Sequence, residues 1–200
     1  HAFDLSAPNL QKREIDAKAS ETEELDSRPP TIAVLPFKNL SNDEEQEYFA
    51  DGITEDIISN LSLWKTFPVI SRNSSFSFKG TKERSAEIGK VLGADYLVEG
   101  SVRKAGNKVR ITAQLNFASA DKQIWSKRWD RSLEDIFEVQ DEVSQSVAAQ
   151  ISPALRVQET VKLSSKPKKN FGAWDEYLQG LSIYNNDTFM TDAEKVIQHC

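Results

Sequence analysis

Acidic side chains that could bind a cation or transfer a proton are concentrated in one short stretch of the sequence. The segment SNDEEQEYFADGITEDII carries seven carboxylates in eighteen residues: Asp43, Glu44, Glu45, Glu47, Asp51, Glu55 and Asp56. Carboxylates gathered in this way can hold Ca²⁺ or Mg²⁺, or act in pairs as general acid and base. A calcium loop needs a ligand two positions before its Asp-Gly pair, and Phe49 occupies that position before Asp51-Gly52. The pattern therefore favours the water-facing side of a helix.

Such a helix would place Asp43, Glu47 and Asp51 on one face, where they repel each other unless a cation bridges them. Its start is predicted at Ser41, because a glutamate three residues later is typical of a capping box. The buried side is predicted to hold three residues: Tyr48, Phe49 and Ile53. The acids would then stabilise the start of the helix through its dipole.

Gly52 interrupts this helical pattern. A glycine inside a helix costs about 1 kcal/mol relative to alanine, so Gly52 predicts a break, with Asp51 or Thr54 capping the second piece. A broken helix start can also present amide donors to an anion. Asp51 and Gly52 are therefore secondary candidates for ligand contact.

The main binding candidate is SRNSSFSFKG, residues 71–80, which follows a predicted strand. Ligands of open α/β sheets bind beyond the carboxyl ends of strands. The candidate ligand- or partner-binding residues are Arg72, Asn73, Ser74, Ser75 and Lys79, whose donors suit an anion or a peptide backbone. The alternative is a polar loop whose side chains bond only to its own turns.

A second polar cluster is predicted at the tip of a β-hairpin. Its four cations are Arg103, Lys104, Lys108 and Arg110. They would either keep an exposed loop soluble or steer an acidic partner towards it.

Whole classes of chemistry are excluded from the body of the chain. The only cysteine is Cys200 and the only histidines are His1 and His199, so residues 2–198 offer no thiol nucleophile, histidine base or histidine metal ligand. We therefore predict no catalytic residue, no metal and no cofactor for this segment. The net charge of −6 disfavours nucleic-acid binding, and no apolar run approaches the roughly 18 residues of a membrane span.

The elements that position these side chains are predicted in the order β-α-β-α-β-β-β-α. The strands begin with TIAVLPF and FPVISR, and the helices include SAEIGKVLG. In KVRITAQLNF, apolar residues alternate with polar ones, which predicts one dry and one partly wet sheet face. Helical crossovers imply parallel pairing early in the sheet, and the meander implies antiparallel pairing later. The fold class is α/β, with a mixed sheet of about five strands and packed helices.

Four regions follow from composition. Residues 1–30 are predicted to be a linker with a composition typical of disordered segments, and residues 31–161 an α/β domain. Residues 162–170 have four lysines and no acid, which is typical of a basic linker. Residues 171–200 begin a helical hairpin that the sequence cuts short, so we interpret the chain as an excised piece.

Four long blocks carry a family resemblance: IAVLPFKNLSNDEEQEYFADGITEDI, VISRNSSFSFKG, LGADYLVEGSVRKAGNKVRITAQL and DRSLEDIFEVQDEV. In this order they resemble the TolB-like amino-terminal domain of bacterial signalling proteins, over residues 31–155. In that family the domain follows either a class III adenylate/guanylate cyclase domain or a winged-helix DNA-binding domain joined through a membrane helix, as in CadC-like regulators. Tetratricopeptide repeats come next, and AWDEYLQGLSIY is similar to the first helix of such a repeat.

The resemblance implies a non-catalytic regulatory and protein-interaction region, the C-terminal part of an adenylate cyclase-type protein. The alternative is the periplasmic sensor region of a membrane-bound winged-helix transcriptional regulator. The expected partner is another protein, the chain's own output domain, or a second copy in a homodimer. The segment would lie outside the cytoplasm if a membrane helix precedes it, and in the cytoplasm otherwise.

Overall fold

The computed structural model describes residues 28–41, 43, 46–63, 65–167 and 171–184. Residues Pro29–Gln158 form one compact unit, and a second unit includes Arg28 and the described residues from Glu159 onward. Each unit is described by itself. The predicted linker over residues 1–30 lies almost entirely outside the described residues, and the predicted domain boundaries stay predictions.

A mixed five-stranded sheet organises the first unit. Its strands are β1 (Ile32–Val34), β2 (Lys38–Asn39), β3 (Tyr96–Ala105), β4 (Lys108–Phe117) and β5 (Lys122–Ser132). Strands β1 and β2 both pair in parallel with β3, while β3–β4 and β4–β5 pair antiparallel. The predicted α/β class and the change from parallel to antiparallel pairing are confirmed.

The helices are α1 (Gln46–Leu63), α2 (Arg72–Phe76), α3 (Ser85–Leu92) and α4 (Ile136–Ser165), followed by a helix α5 over residues 173–184. Asp135 caps α4, because its carboxylate accepts hydrogen bonds from the amides of Phe137 and Glu138. Helix α4 extends into the range predicted as a basic linker. The part of the predicted helical hairpin from residue 185 onward lies outside the described residues.

The main core lies on one face of the sheet, beneath α1 and α4. Alternate residues of β4 are buried there, with Ile111 and Leu115 at 0% exposure. Trp129 of β5 donates its indole N–H to Ser146 of α4 at 3.3 Å, and Asn60 of α1 bonds Ser144 of α4 at 3.2 Å. The period of two in β4 thus sets which side chains reach the core.

The opposite face of the sheet is covered at one end only. Helix α3 closes a smaller apolar cluster there, formed by Ala33, Leu35, Ile88, Ala94, Leu97 and Ala118. Gly89 allows this close packing, because a Cβ at its position would lie 2.5 Å from the Ala118 Cβ and 2.9 Å from the Ala94 carbonyl. The rest of this face is polar, as the alternation in β4 predicts.

The strand predicted from FPVISR is largely absent. Val69 makes a single parallel bridge to Ile32, and Arg72 already belongs to α2. Pro68 has no amide hydrogen to donate to a ladder, and Ser71 starts α2 directly after Ile70. The fifth strand of the sheet is instead β2, which follows β1 after a short interruption.

The predicted helix break at Gly52 is wrong. Helix α1 runs without interruption through it, and a Cβ there would lie 2.8 Å from the side-chain amide of Gln140 on α4. The Gln140 amide donates to the carboxylate of Asp56, so Gly52 makes room for a contact between helices. Tyr48 also differs from its prediction, since it is 86% exposed rather than buried.

The start of α1 also differs from the predicted capping box. The helix begins at Gln46, and the Ser41 hydroxyl accepts a hydrogen bond from the amide of Lys104 at 2.8 Å. Glu44, the other half of the predicted box, lies outside the described residues. Ser41 therefore ties the chain before the helix to strand β3.

Candidate functional site

The predicted binding loop, residues 71–80, lies against the acidic face of α1. The Lys79 ammonium lies 2.7 Å from the Asp51 carboxylate and 2.7 Å from that of Glu47. The Arg72 guanidinium lies 2.9 Å from Glu55. The cation needed to bridge the carboxylates of one helix face is thus supplied by the protein itself.

The remaining loop residues also have roles within the loop. The Ser71 hydroxyl accepts a hydrogen bond from the Ser74 amide and thereby caps α2. The Arg72 guanidinium lies 4.1 Å above the centre of the Phe76 ring. Asn73 and Ser74 are exposed. Ser75 is fully buried, and within the described part of the chain its hydroxyl has no hydrogen-bond partner. A binding role for these residues, and for Asp51 and Gly52, stays a prediction.

Removing the charge of Lys79 is expected to destabilise the protein by less than about 1 kcal/mol, because the ion pairs are partly exposed and screened by salt. Partial burial acts to lower the pKa of Lys79, but its hydrogen bonds to Asp51 and Glu47 outweigh this and raise it. The ion pairs of Lys79 therefore contribute their full stabilisation below the ordinary lysine pKa of about 10.4. This contribution is lost as the pH rises through the raised pKa of Lys79.

The measurement compares Lys79→Gln with the wild type by urea unfolding at pH 8 and at increasing alkaline pH. Lys82→Gln is the matched control, since Lys82 is an exposed lysine of the same loop region. The difference should be larger at low salt and should disappear above the raised pKa. A pH-independent difference equal to that of the control would contradict the bridging role.

The four predicted hairpin cations do not form one patch. Arg103 and Arg110 lie directly opposite each other on β3 and β4. Lys104 lies on the other face of the sheet, where its ammonium is 3.1 Å from Asp43. Lys108 is exposed at the end of β4. The structure therefore brings Arg103, Lys108 and Arg110 together around one pocket and separates Lys104 from them.

Arg110 binds a carboxylate that the sequence did not point to. Its guanidinium donates two hydrogen bonds to Asp130 of β5, at 2.6 and 3.2 Å. This pairing lowers the pKa of Asp130 and raises that of Arg110. Both side chains are about half exposed, so the pair orients the guanidinium more than it stabilises the fold.

A cleft of about 360 Å³ lies beside α3 on the polar face of the sheet. At its floor, the Glu99 carboxylate accepts hydrogen bonds from Ser85 and Gln114, each at 3.0 Å. Ser101 and Thr112 line the same floor. We did not predict this cleft from the sequence, although the alternation in β4 places Thr112 and Gln114 on its face.

Neither a metal-binding cluster nor a membrane-spanning helix occurs in the described part of the chain. Among those residues, no group of three or more acidic, histidine or cysteine side chains could hold a metal ion. Within the same ranges, no helix has both the length and the apolar character to cross a membrane.

The chain is similar in sequence to a bacterial protein. Over 146 residues, 73% of the chain, the sequence is 47% identical to "Putative adenylate cyclase 3" of Rhizobium meliloti (strain 1021). The matched region is 25% of that protein, so the chain spans about a quarter of the length of the curated relative it matches. No family model matches the chain.

Solved structures give weaker likenesses. Lipoprotein GNA1162 from Neisseria meningitidis has a TM-score of 0.46 and 19% identity, covering 62% of this chain and 97% of that one. The LpoB C-terminal domain from Salmonella enterica has a TM-score of 0.43 and 20% identity, covering 56% and 91%. No functional conclusion follows from scores this low. The TolB-like assignment and the tetratricopeptide repeat therefore stay predictions, while the relation to an adenylate cyclase-type protein rests on sequence identity.

Proposed function

We propose that residues 31–161 form a non-catalytic regulatory domain of a longer adenylate cyclase-type protein. The observation that carries the proposal is the 47% identity to a putative adenylate cyclase over 146 residues. A second point comes from the sequence, since residues 2–198 contain no cysteine or histidine for nucleophilic or acid–base catalysis. The domain would bind another protein or the cyclase domain and thereby alter the rate of cyclic AMP formation.

Details of this role are part of the same proposal. A tetratricopeptide-like hairpin would follow the domain, and helix α5 fits its first half, with Trp174 and Tyr177 stacked at 5.3 Å. Location outside the cytoplasm would require a membrane helix before this segment. The chain would act in either compartment through contacts with other proteins.

The test uses the longer protein that contains this chain. Replacing residues 31–158 by a flexible Gly/Ser linker is expected to change cyclic AMP formation from ATP at least threefold, because the regulatory contact is lost. The 200-residue chain alone is expected to form no cyclic AMP. Unchanged output after the replacement, or turnover of ATP by the isolated chain, would refute the proposal.

A further inference from the structure

The polar face of the sheet carries a cluster of cations, which we call the basic face. The register aligns Lys38, Ser101, Thr112 and Arg128 in one row across four strands. The next row contains Arg103, Arg110 and Asp130. Side chains at these positions share one face because strand residues alternate between the two sides of a sheet. The basic face therefore consists of Lys38, Arg103, Arg110, Arg128 and Asp130, with Ser101 and Thr112 between them and Lys108 at its end.

The positive charge of the basic face is only partly neutralised. Asp130 is shared between Arg110, at 2.6 Å, and Arg128, at 3.7 Å. Within the described part of the chain, Lys38 and Arg103 have no carboxylate at ion-pair distance. The side chains of Arg110, Arg128 and Asp130 are 50%, 61% and 53% exposed, so the face is open to solvent.

The placement of two arginines opposite each other lowers the stability of the sheet, so a contribution to folding does not explain it. Arg103 and Arg110 lie directly opposite each other, and like charges at such positions destabilise a pair of strands. Charged side chains on an edge strand prevent aggregation, which accounts for Arg128 on β5. At Arg110, strand β4 is paired on both sides, with β3 and β5, so edge protection does not account for this arginine.

We propose that the basic face docks an acidic segment of a partner protein, with Lys38, Arg103, Arg110 and Arg128 binding its carboxylates. The guanidinium groups can bind carboxylates through two parallel hydrogen bonds, and the hydroxyls of Ser101 and Thr112 are placed to bond a peptide backbone. This inference rests on the proposed function and specifies the class of partner.

Two observations favour a peptide over a nucleic acid as the occupant. Leu40, which follows β2, is 50% exposed and donates its amide to the Val102 carbonyl, so an apolar side chain adjoins the cations. The net charge of −6 and the Asp130 carboxylate among the cations oppose duplex DNA more strongly than an acidic peptide, because DNA carries a denser negative charge, one per about 1.7 Å of its axis.

The binding test uses the 200-residue chain and a fluorescein-labelled peptide of ten glutamates, measured by fluorescence anisotropy. The variant Lys38→Glu/Arg103→Glu reverses the charge of two cations of the basic face that lack a carboxylate within the described part. The control Lys90→Glu/Lys122→Glu makes the same change in net charge at two other exposed lysines. Far-UV circular dichroism melts confirm that all three proteins are folded.

The first variant is expected to bind the peptide at least tenfold more weakly than the wild type, and the control less than twofold more weakly. Wild-type binding should also weaken as salt increases. Equal losses in the two variants, or no binding by the wild type, would overturn the inference. Tighter binding of a duplex DNA that depends on Lys38 and Arg103 would overturn it as well, in favour of a nucleic-acid partner.

Cyclic AMP formation by the longer protein separates failure of this inference from failure of the proposed function. In one outcome, replacing residues 31–158 changes cyclic AMP formation, but Lys38→Glu/Arg103→Glu behaves like its control in both peptide binding and cyclic AMP formation. The docking role of the basic face is then refuted, and the regulatory role of the domain is supported. In the opposite outcome, peptide binding depends on the basic face, but replacing residues 31–158 leaves cyclic AMP formation unchanged. The docking role is then supported, and the regulatory role is refuted.

Discussion

Replacing Gly100 by alanine is expected to destabilise the protein by about 3 kcal/mol, the upper part of the range for overpacked cores. A Cβ at this position would lie 2.2, 2.4 and 2.5 Å from three carbon atoms of the Phe37 ring. Phe37 is 1% exposed, so its ring has no open space into which to move. Gly100 on β3 thus allows the ring to lie directly against the backbone of the sheet.

The effect is measured as the urea midpoint of unfolding, followed by tryptophan fluorescence. Phe37→Leu removes the two ring atoms that would lie closest, Cε2 and Cζ, so the double variant Gly100→Ala/Phe37→Leu should be more stable than the sum of the two single changes predicts. Additive effects, or a change for Gly100→Ala below about 0.5 kcal/mol, would show that the close approach does not limit stability.

Replacing Thr54 by valine is expected to cost about 2 kcal/mol, because a buried backbone amide loses its acceptor. The Thr54 hydroxyl accepts a hydrogen bond from the amide of Phe37 at 3.0 Å and donates one to the Ala50 carbonyl at 2.8 Å. Thr54 is 0% exposed, so water cannot replace the lost bond. The Thr54 hydroxyl on α1 therefore provides the hydrogen-bond acceptor for a backbone amide in the segment between β1 and β2.

Thr54→Ser is the matched comparison, since it keeps the hydroxyl and removes only a methyl group worth about 1 kcal/mol. In the same urea experiment, valine should cost more than serine, although valine preserves the volume of the side chain. The reverse order would show that packing of the methyl group outweighs the hydrogen bond to Phe37.

Much of the fold could be predicted from local patterns. The alternation in β4 identified which side chains are buried, because strand geometry makes neighbouring residues face opposite sides whatever they pair with. The helical pattern likewise placed Phe49 and Ile53 correctly on the buried side of α1, since helix geometry brings residues three and four apart onto one face. These periodicities depend only on the backbone of one element.

Predictions that depended on contacts between distant residues were less successful. Gly52 looked like a helix break because intrinsic propensity disfavours glycine, but its role is to admit Gln140 from α4. Asp51 was one of seven acids with no visible partner, and its cation, Lys79, lies 28 residues further along the chain. Neither the Gly52–Gln140 contact nor the Asp51–Lys79 ion pair could be predicted from residues close in sequence.

The sequence by itself determined the class of the fold, the dry and wet faces of β4 and the lack of cysteine or histidine in the body of the chain. Only the tertiary structure decided which cations share a surface. Arg103 and Arg110 were predicted together because one hairpin connects them, whereas Lys38 and Arg128 join them through the register of β2 and β5. Strand register depends on long-range pairing and packing, so a surface that spans four strands exists only after the whole sheet has formed.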